Sequence, residues 1–274
     1  MKQTLCTISS NDEVMPGIHL MWIESPDIAA TAQPGQFITV RCGDFTLRRP
    51  FSVHQVSSRE IALLFRVAGK GTIWLAQRKA GEKMDVLGPL GKGFTVGPES
   101  KNLLLVAGGI GIAPLVFLMH HASAQHQITL IHGASTAAQL YPNGCLLADG
   151  SDGAIQFIPV TEDGSRGKRG MITDILPDFL DWADQIYACG PVAMYKAMVL
   201  TLNPSPLKGE GKGEGEKQNN LKMKKCQVSL EVRMGCGFGA CYGCTINTNE
   251  GLKQVCRDGP VFELDDIIWR EVRI

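Results

Sequence analysis

The chain is 274 residues long, with 27 basic and 27 acidic side chains, 44% hydrophobic residues, 31 glycines and nine cysteines. That length suits about two domains, and the apolar share excludes a wholly disordered chain. A net charge of zero excludes the clustered basic excess on which nucleic-acid binding relies, so no nucleic acid partner is expected.

Residues 1–98 read as short strands. The first fifteen carry Lys2, Asp12 and Glu13 and no apolar run of the kind a signal peptide needs. Residues 36–41, 51–53 and 60–67 are β-rich, with turn signals between them at Pro34-Gly35, Gly43-Asp44 and Ser57-Ser58. Short strands spaced in this way predict a small antiparallel barrel. One helix is expected to interrupt it over 72–79, with Thr72 as its N-cap.

The pattern changes near Gly97-Pro98. Residues 103–107 form a continuous apolar run, as a strand buried on both faces requires. Helices are expected over 113–121, 172–178 and 192–202, alternating with strands over 127–132, 155–160 and 185–188. Such alternation predicts βαβ units and a parallel sheet. From Asn102 to Ala148 there is no Asp, Glu, Lys or Arg, but Gly108, Gly109, Gly111 and Pro114 interrupt the most apolar part. A membrane helix needs about 20 unbroken apolar residues, so none is expected.

Residues 203–225 break the pattern again. Lys208-Gly209-Glu210-Gly211 is followed by Lys212-Gly213-Glu214-Gly215, and the stretch has no aromatic residue. So polar a tract cannot bury a core and is expected to be a solvated, disordered insertion. An electrostatic tether for a partner is the alternative. The expected organisation is therefore multidomain β plus α/β: a barrel over 1–98, a parallel α/β nucleotide-binding domain over 99–202, the insertion over 203–225 and a small cluster domain over 226–274.

Five of the nine cysteines fall in the last fifth of the chain, leaving Cys6, Cys42, Cys145 and Cys189 elsewhere. Disulfide scaffolds are short and carry their cysteines throughout the fold, so reduced thiols and a cytoplasmic location are expected. The run Cys236-Gly-Phe-Gly-Ala-Cys241-Tyr-Gly-Cys244, with Cys256 beyond, has the C-x4-C-x2-C…C spacing of a plant-type [2Fe–2S] site. Gly235, Gly237, Gly239 and Gly243 let backbone amides turn towards cluster sulfides. The alternative is a tetrahedral zinc site, which usually shows two C-x2-C pairs where one is present here. Cys226 is the rival ligand, expected to be a bystander.

Val106-Ala-Gly-Gly-Ile-Gly-Ile-Ala-Pro114 follows an apolar strand and opens a helix, where a glycine turn presents N–H groups to phosphate. Tyr187-Ala188-Cys189-Gly190-Pro191 ends another strand of the same unit. Ligands of open α/β sheets bind at the carboxyl ends of strands, so the pair favours a nucleotide site. Arg48-Arg49-Pro50-Phe51-Ser52, with Gly69-Lys70-Gly71-Thr72 downstream, is a candidate pyrophosphate-holding set.

In this order the motifs resemble the ferredoxin-NADP reductase superfamily. Within it, residues 227–244 and 255–262 are similar to the electron-transfer subunits of class 1B dihydroorotate dehydrogenases, as are residues 161–165, Gly170 and Thr173-Asp174. The resemblance implies that Arg49, Pro50, Phe51, Ser52, Leu64, Phe65, Arg66, Gly71 and Thr72 bind FAD. It implies that Gly108, Gly109, Gly111, Ala113, Pro114, Cys189, Gly190 and Pro191 meet NAD, and that Cys236, Cys241, Cys244 and Cys256 hold [2Fe–2S]. Many such relatives carry an arginine where this chain has Ala134-Ser135-Thr136, which favours NAD over NADP. The implied partner is an FMN-containing dihydroorotate dehydrogenase catalytic subunit, in a heterotetramer of two of each, in pyrimidine biosynthesis. Two alternatives stay open: the small subunit of a ferredoxin:NADP or sulfide-type oxidoreductase, and a zinc-stapled nucleotide-binding sensor or scaffold.

Overall fold

The computed structural model describes residues 1–145, 155–202 and 224–272. The expected insertion over 203–225 thus lies outside the described residues, except for Lys224 and Lys225.

The N-terminal strands are β1 (Lys2–Met15), β2 (Ile18–Glu24), β3 (Phe37–Val40), β4 (Arg49–Ser52), β5 (Gln55–Ser57), β6 (Glu60–Arg66) and β7 (Lys83–Leu90), with short helices α1 (Pro26–Ala29) and α2 (Lys70–Ala76) between them. They form one antiparallel sheet in the order β4-β3-β7-β1-β2-β6-β5. The sheet curls into a half-barrel around Ile8, Met21, Ile23, Ile38, Val40, Leu63 and Phe65, all buried. Its curl brings β4 opposite β6, where the rings of Phe51 and Phe65 stand 5.7 Å apart.

One expectation here is corrected. Thr72 does not cap α2; Gly69 does, and Thr72 sits three residues into the helix. Its Oγ1 reaches back to accept hydrogen bonds from the N–H groups of Ala68 and Gly69, at 2.8 and 3.0 Å. It serves as the returning half of a capping box, which lets the helix begin two residues early.

The second unit contains β8 (Asn102–Gly108), α3 (Ile112–Ala122), β9 (Gln127–Ala134), β10 (Ile155–Thr161), β11 (Lys168–Arg169), α4 (Ile172–Ile175), α5 (Pro177–Leu180), β12 (Gln185–Cys189) and α6 (Val192–Leu202). The helix expected over 172–178 is two short helices, because Pro177 has no N–H to donate and opens a new turn. Helix α3 is buried on almost every face. Most of its side chains pack with β8, β9 and β12, while Phe117 enters the barrel core. That double burial accounts for the run of residues without charge.

The last segment adds β13 (Cys226–Ser229), β14 (Thr245–Thr248), β15 (Gly251–Gln254), α7 (Val255–Asp258) and β16 (Val261–Glu263). Two of these strands extend the nucleotide sheet, whose order is β11-β10-β9-β8-β12-β13-β16. β13 lies parallel to β12, and β16 lies antiparallel to β13. Residues on either side of a boundary at 225 therefore share one hydrogen-bonded sheet. The remainder folds as the β14–β15 hairpin and the cysteine loop.

Candidate functional site

Three features converge around the half-barrel. The first is the surface where β4 meets the start of α2. Arg48 and Arg49, adjacent in sequence, differ in environment. Arg48 is neutralised by Asp85, with Nη2 2.6 Å from its carboxylate. Arg49 has no carboxylate partner among the described residues. It lies across Gly71, where an added Cβ would come within 3.1 Å of Nε. Gly71 is thus a cradle that a side chain would fill, beside an unneutralised guanidinium. That arrangement suits a pyrophosphate, and the half-buried strand Arg49–Ser52 supplies a wall for a planar ring system.

The second feature is a cleft of about 480 Å³ at the carboxyl ends of β8, β9, β10 and β12, within the usual range for a small-molecule site. Gly108, Gly109, Gly111, Cys189, Gly190 and Pro191 all line it, so the two glycine motifs come together as expected. Gly111 packs so tightly on the Cys189 carbonyl that a Cβ would stand 2.1 Å from its oxygen. Gly109 holds φ at +54°, a conformation that glycine adopts freely. Ala113 and Pro114, by contrast, are buried within α3 and do not line the cleft. Arg66, at the end of β6, reaches the cleft too, with Nη2 3.7 Å from the position a Cβ would take on Gly109. One residue of the flavin set therefore touches the nucleotide set.

The structure brings into the cleft side chains that the sequence reading left out of its NAD set. Ser135 and Glu162 line the cleft at the ends of β9 and β10, and Ser135 Oγ donates to Glu162 Oε1 at 2.9 Å. Glu231, just beyond β13, closes the opposite wall. Its place depends on β13 joining this sheet, a pairing that no sequence spacing announces. Burial, with the Glu231 carboxylate behind it, pushes the Cys189 thiol up to about 12, so Cys189 is a neutral thiol. Tyr195 braces this wall. Its hydroxyl accepts from Gly190 N–H at 2.9 Å and donates to the Ser229 carbonyl at 2.7 Å, tying the Cys189–Pro191 turn to β13.

The third feature is the cysteine loop. Five backbone N–H groups point at its sulfurs: Ala240 to Cys236 Sγ (3.2 Å), Cys236 and Gly243 to Cys241 Sγ (3.5 and 3.4 Å), Cys256 to Cys244 Sγ (3.4 Å) and Gly239 to Cys256 Sγ (3.1 Å). Positive φ at Gly237, Gly239 and Tyr242 turns the loop so that these amides face inward. Burial pushes the Cys236 thiol up, but hydrogen bonds from Phe238, Cys241 and Ala240 outweigh it and bring the thiol down to about 6. Burial and the adjacent Cys244 push Cys256 up to about 12. Among the described residues, no three His, Cys, Asp or Glu side chains converge on a point suited to one ion. Cys236 lies beside Cys241, and Cys256 beside Cys244 and within electrostatic reach of Cys236. Four thiols held in one loop and its neighbouring helix are the donor set that [2Fe–2S] requires. Cys226 lies outside the loop, buried in β13 opposite Ile186.

The cysteine loop rests on the barrel. A Cβ on Gly237 would stand 2.8 Å from Thr39 Cγ2 of β3, and Lys92 N–H donates to the Gly259 carbonyl at 2.6 Å. Because β3 pairs with β4, one strand separates the cysteine loop from the Arg49–Ser52 wall.

Residues 231–268 match the iron-sulfur cluster binding domain of dihydroorotate dehydrogenase B, and residues 105–199 match the oxidoreductase NAD-binding domain. The dihydroorotate dehydrogenase B (NAD(+)) electron transfer subunit of Desulforamulus reducens is 38% identical, over 93% of this chain and 94% of its own. The chain belongs to this family. The subunit of the same name from Caldanaerobacter subterraneus is 35% identical over 86% of this chain and 87% of its own. Among solved structures, an NADH-dependent reduced ferredoxin-NADP oxidoreductase is 27% identical with a TM-score of 0.80, covering 97% of this chain and 91% of that one. A ferredoxin NADP+ reductase from Neisseria gonorrhoeae with bound FAD and NADP has a TM-score of 0.63 at 19% identity, over 77% of this chain and 95% of that one, and shares the fold. The ferredoxin:NADP alternative thus shares the architecture of the family, but the family relatives are closer in sequence.

Proposed function

We propose that this chain is the electron transfer subunit of an NAD-dependent dihydroorotate dehydrogenase, taking electrons from a catalytic subunit that oxidises dihydroorotate and delivering them to NAD+. The observation that carries the reading is the order of the three sites. The Arg49–Ser52 strand lies between the cysteine loop, one strand away across β3, and the cleft reached by Arg66.

When bound, FAD supplies the exchange between hydride and single-electron steps, and [2Fe–2S] supplies the single-electron relay. The chain's own residues supply position and charge. Arg49 and the Gly71 cradle hold the flavin pyrophosphate, and Phe51 and Ser52 line the flavin. Leu64 and Phe65, buried in the cores on either side of β6, and Thr72, whose hydroxyl completes the α2 capping box, back that wall rather than face it. The Gly108–Gly111 turn, with Cys189, Gly190 and Pro191, holds the nicotinamide nucleotide, backed by Ala113 and Pro114 from inside α3. Cys236, Cys241, Cys244 and Cys256 hold the cluster in its cage of backbone amides. Ser135 and Glu162 offer the ribose hydroxyl groups a carboxylate where a 2′-phosphate would be repelled, which favours NAD over NADP.

The partner reading is an FMN-containing catalytic subunit, assembled as two copies of each chain. Cys241 is exposed, and Phe238 and Tyr242 on the same loop are exposed large side chains, a rim suited to burial against that subunit. A cytoplasmic location is supported by the free thiols of Cys6, Cys42, Cys189, Cys226 and the four cysteines of the loop and α7. No helix among the described residues is long and apolar enough to cross a membrane.

Co-purification with a catalytic subunit, followed by dihydroorotate-dependent reduction of NAD+, tests the reading. Flavin absorption with an iron–sulfur shoulder is expected. A colourless, zinc-bearing protein would refute it, and a partner rich in further iron–sulfur clusters would favour the ferredoxin:NADP alternative.

A further inference from the structure

Three buried polar side chains link the Gly108–Gly111 turn to the half-barrel, and none of the three belongs to either binding motif. His132, on β9, is 1% exposed, and His54, just after β4, is fully buried. His132 Nε2 lies 3.0 Å from the Gly109 carbonyl, and its Nδ1 lies 3.3 Å from the Tyr141 backbone nitrogen. The Tyr141 hydroxyl lies 2.8 Å from His54 Nε2, and His54 Nδ1 lies 2.9 Å from the Ala113 carbonyl. Carbonyl oxygens only accept, so His132 carries its proton on Nε2 and His54 on Nδ1. Tyr141 donates to both imidazoles, with its backbone N–H to His132 and its hydroxyl to His54.

The ends of this chain decide its meaning. Gly109 and Ala113 bracket the turn that opens the cleft, so the two histidines grip the turn from either side. Gly109 holds a left-handed conformation, and Arg66 of the flavin set lies beside it. His54 is itself fixed in the barrel, where its N–H donates to the Ala62 carbonyl between β4 and β6. Histidines buried only to fill a core would have no reason to bind both flanks of one turn. Burial lowers both imidazoles to about 4, keeping them neutral as the donor pattern requires.

We propose that His132, Tyr141 and His54 are positioning residues: they lock the Gly108–Gly111 turn to the flavin strands and so set the distance over which hydride passes between nicotinamide and FAD. The proposal rests on the nucleotide reading of the cleft. The hydride exchange would be the chemistry of the nucleotide and the flavin; these residues would only fix how far apart the two are held.

The test uses the full-length chain carrying FAD and its cluster. Histidine 15N spectra should show His132 protonated at Nε2 and His54 at Nδ1, and either opposite tautomer overturns the proposal. In stopped-flow reduction by NADH, Tyr141→Phe and His132→Ala should slow flavin reduction about tenfold or more, because small misplacements of reacting atoms are costly. NADH affinity and FAD content should stay within about twofold, while the primary deuterium isotope effect from C4-labelled NADH rises as hydride transfer becomes limiting. His132→Gln restores a donor to Gly109 and should recover most of the rate. Unchanged rates in Tyr141→Phe and His132→Ala, loss of FAD from Tyr141→Phe, or a His132→Gln variant as slow as His132→Ala each overturn the proposal. Failure of NADH to reduce the wild-type flavin would overturn the nucleotide reading itself, and the proposal with it.

Discussion

The two buried histidines should make the protein acid-labile in a defined window. In the unfolded chain an imidazole takes up its proton near 6.5, whereas His54 and His132 resist protonation down to about 4 in the fold. Burial is the main cause in both, and for each the hydrogen bond to a backbone carbonyl opposes it only in part. Between those values the unfolded chain binds more protons than the folded one, so stability must fall as pH falls. The contribution is complete above pH 6.5, declines through the window and is gone below about 4.

A shift of one pKa unit is worth about 1.4 kcal/mol, so each histidine carries a loss of about 3 kcal/mol across the whole window. Roughly 2 kcal/mol of that falls between pH 7 and pH 5 for each ring. Domains are stable by only about 5–15 kcal/mol, so the loss is large. Asp163 and Asp184, whose carboxylates are held below their ordinary value by hydrogen bonds from Ser165 and from Asn102 and Lys101, lose stability only at lower pH. The assay is urea unfolding at pH 7, 6 and 5 of the wild type and of His132→Gln, whose amide never titrates. Subtracting the two pH profiles removes every group they share. The variant should lose about 2 kcal/mol less than the wild type between pH 7 and 5. Parallel profiles would refute the reasoning.

Other changes follow from close contacts. Gly111→Ala drives a methyl group into the Cys189 carbonyl; it should cost on the order of 1–3 kcal/mol in thermal or urea unfolding and abolish tight NAD+ binding by calorimetry. Ser135→Arg replaces the donor to Glu162 with a cation at the cleft rim and should shift the NADPH-to-NADH preference by about tenfold or more in kcat/KM; an unchanged ratio would show that the ribose lies elsewhere. Cys241→Ser removes a proposed cluster ligand whose sulfur accepts two backbone N–H groups. It should erase the iron–sulfur absorption while leaving the flavin reducible by NADH, and a fully retained cluster signal would remove Cys241 from the ligand set.

The cysteine spacing and the two glycine motifs were legible because their chemistry is local. A three-residue or five-residue interval dictates how a loop wraps, and a glycine after an apolar strand marks a turn wherever the strand lies. Helix α3 was legible for a different reason, since a stretch without charge can only be buried. What the sequence hides is pairing across distance. Nothing in Cys226–Ser229 or Val261–Glu263 marks them as strands of the nucleotide sheet, because a short apolar run fits a small domain equally well. Glu231 went unseen for the same reason. Arg48 and Arg49 look alike as neighbours in sequence, and only Asp85, 37 residues on from Arg48, distinguishes the neutralised one from the free one. His54, His132 and Tyr141 carry no motif at all, since each becomes meaningful only through the carbonyl or ring the fold places opposite it.

Those long-range pairings explain how one chain can hold the three proposed redox stations at fixed separation. β13 is hydrogen-bonded to β12, whose end forms the Cys189–Pro191 wall of the cleft, and the chain leaving β13 runs directly into the cysteine loop. The same loop rests through Gly237 on β3, the neighbour of the Arg49–Ser52 strand. The barrel in turn meets the cleft through Arg66, and meets the helix behind it through His54. Each station is therefore attached to the other two by backbone pairing or buried contact, closing a ring of constraints. In such a ring a displacement at one contact must strain the others, because packed interiors have little free volume to absorb it. A lone flavin reductase fold needs only the contact between barrel and nucleotide sheet. Placing β13 and β16 at the edge of that sheet extends the same rigidity to the cluster, with no interface between separable domains along the electron path.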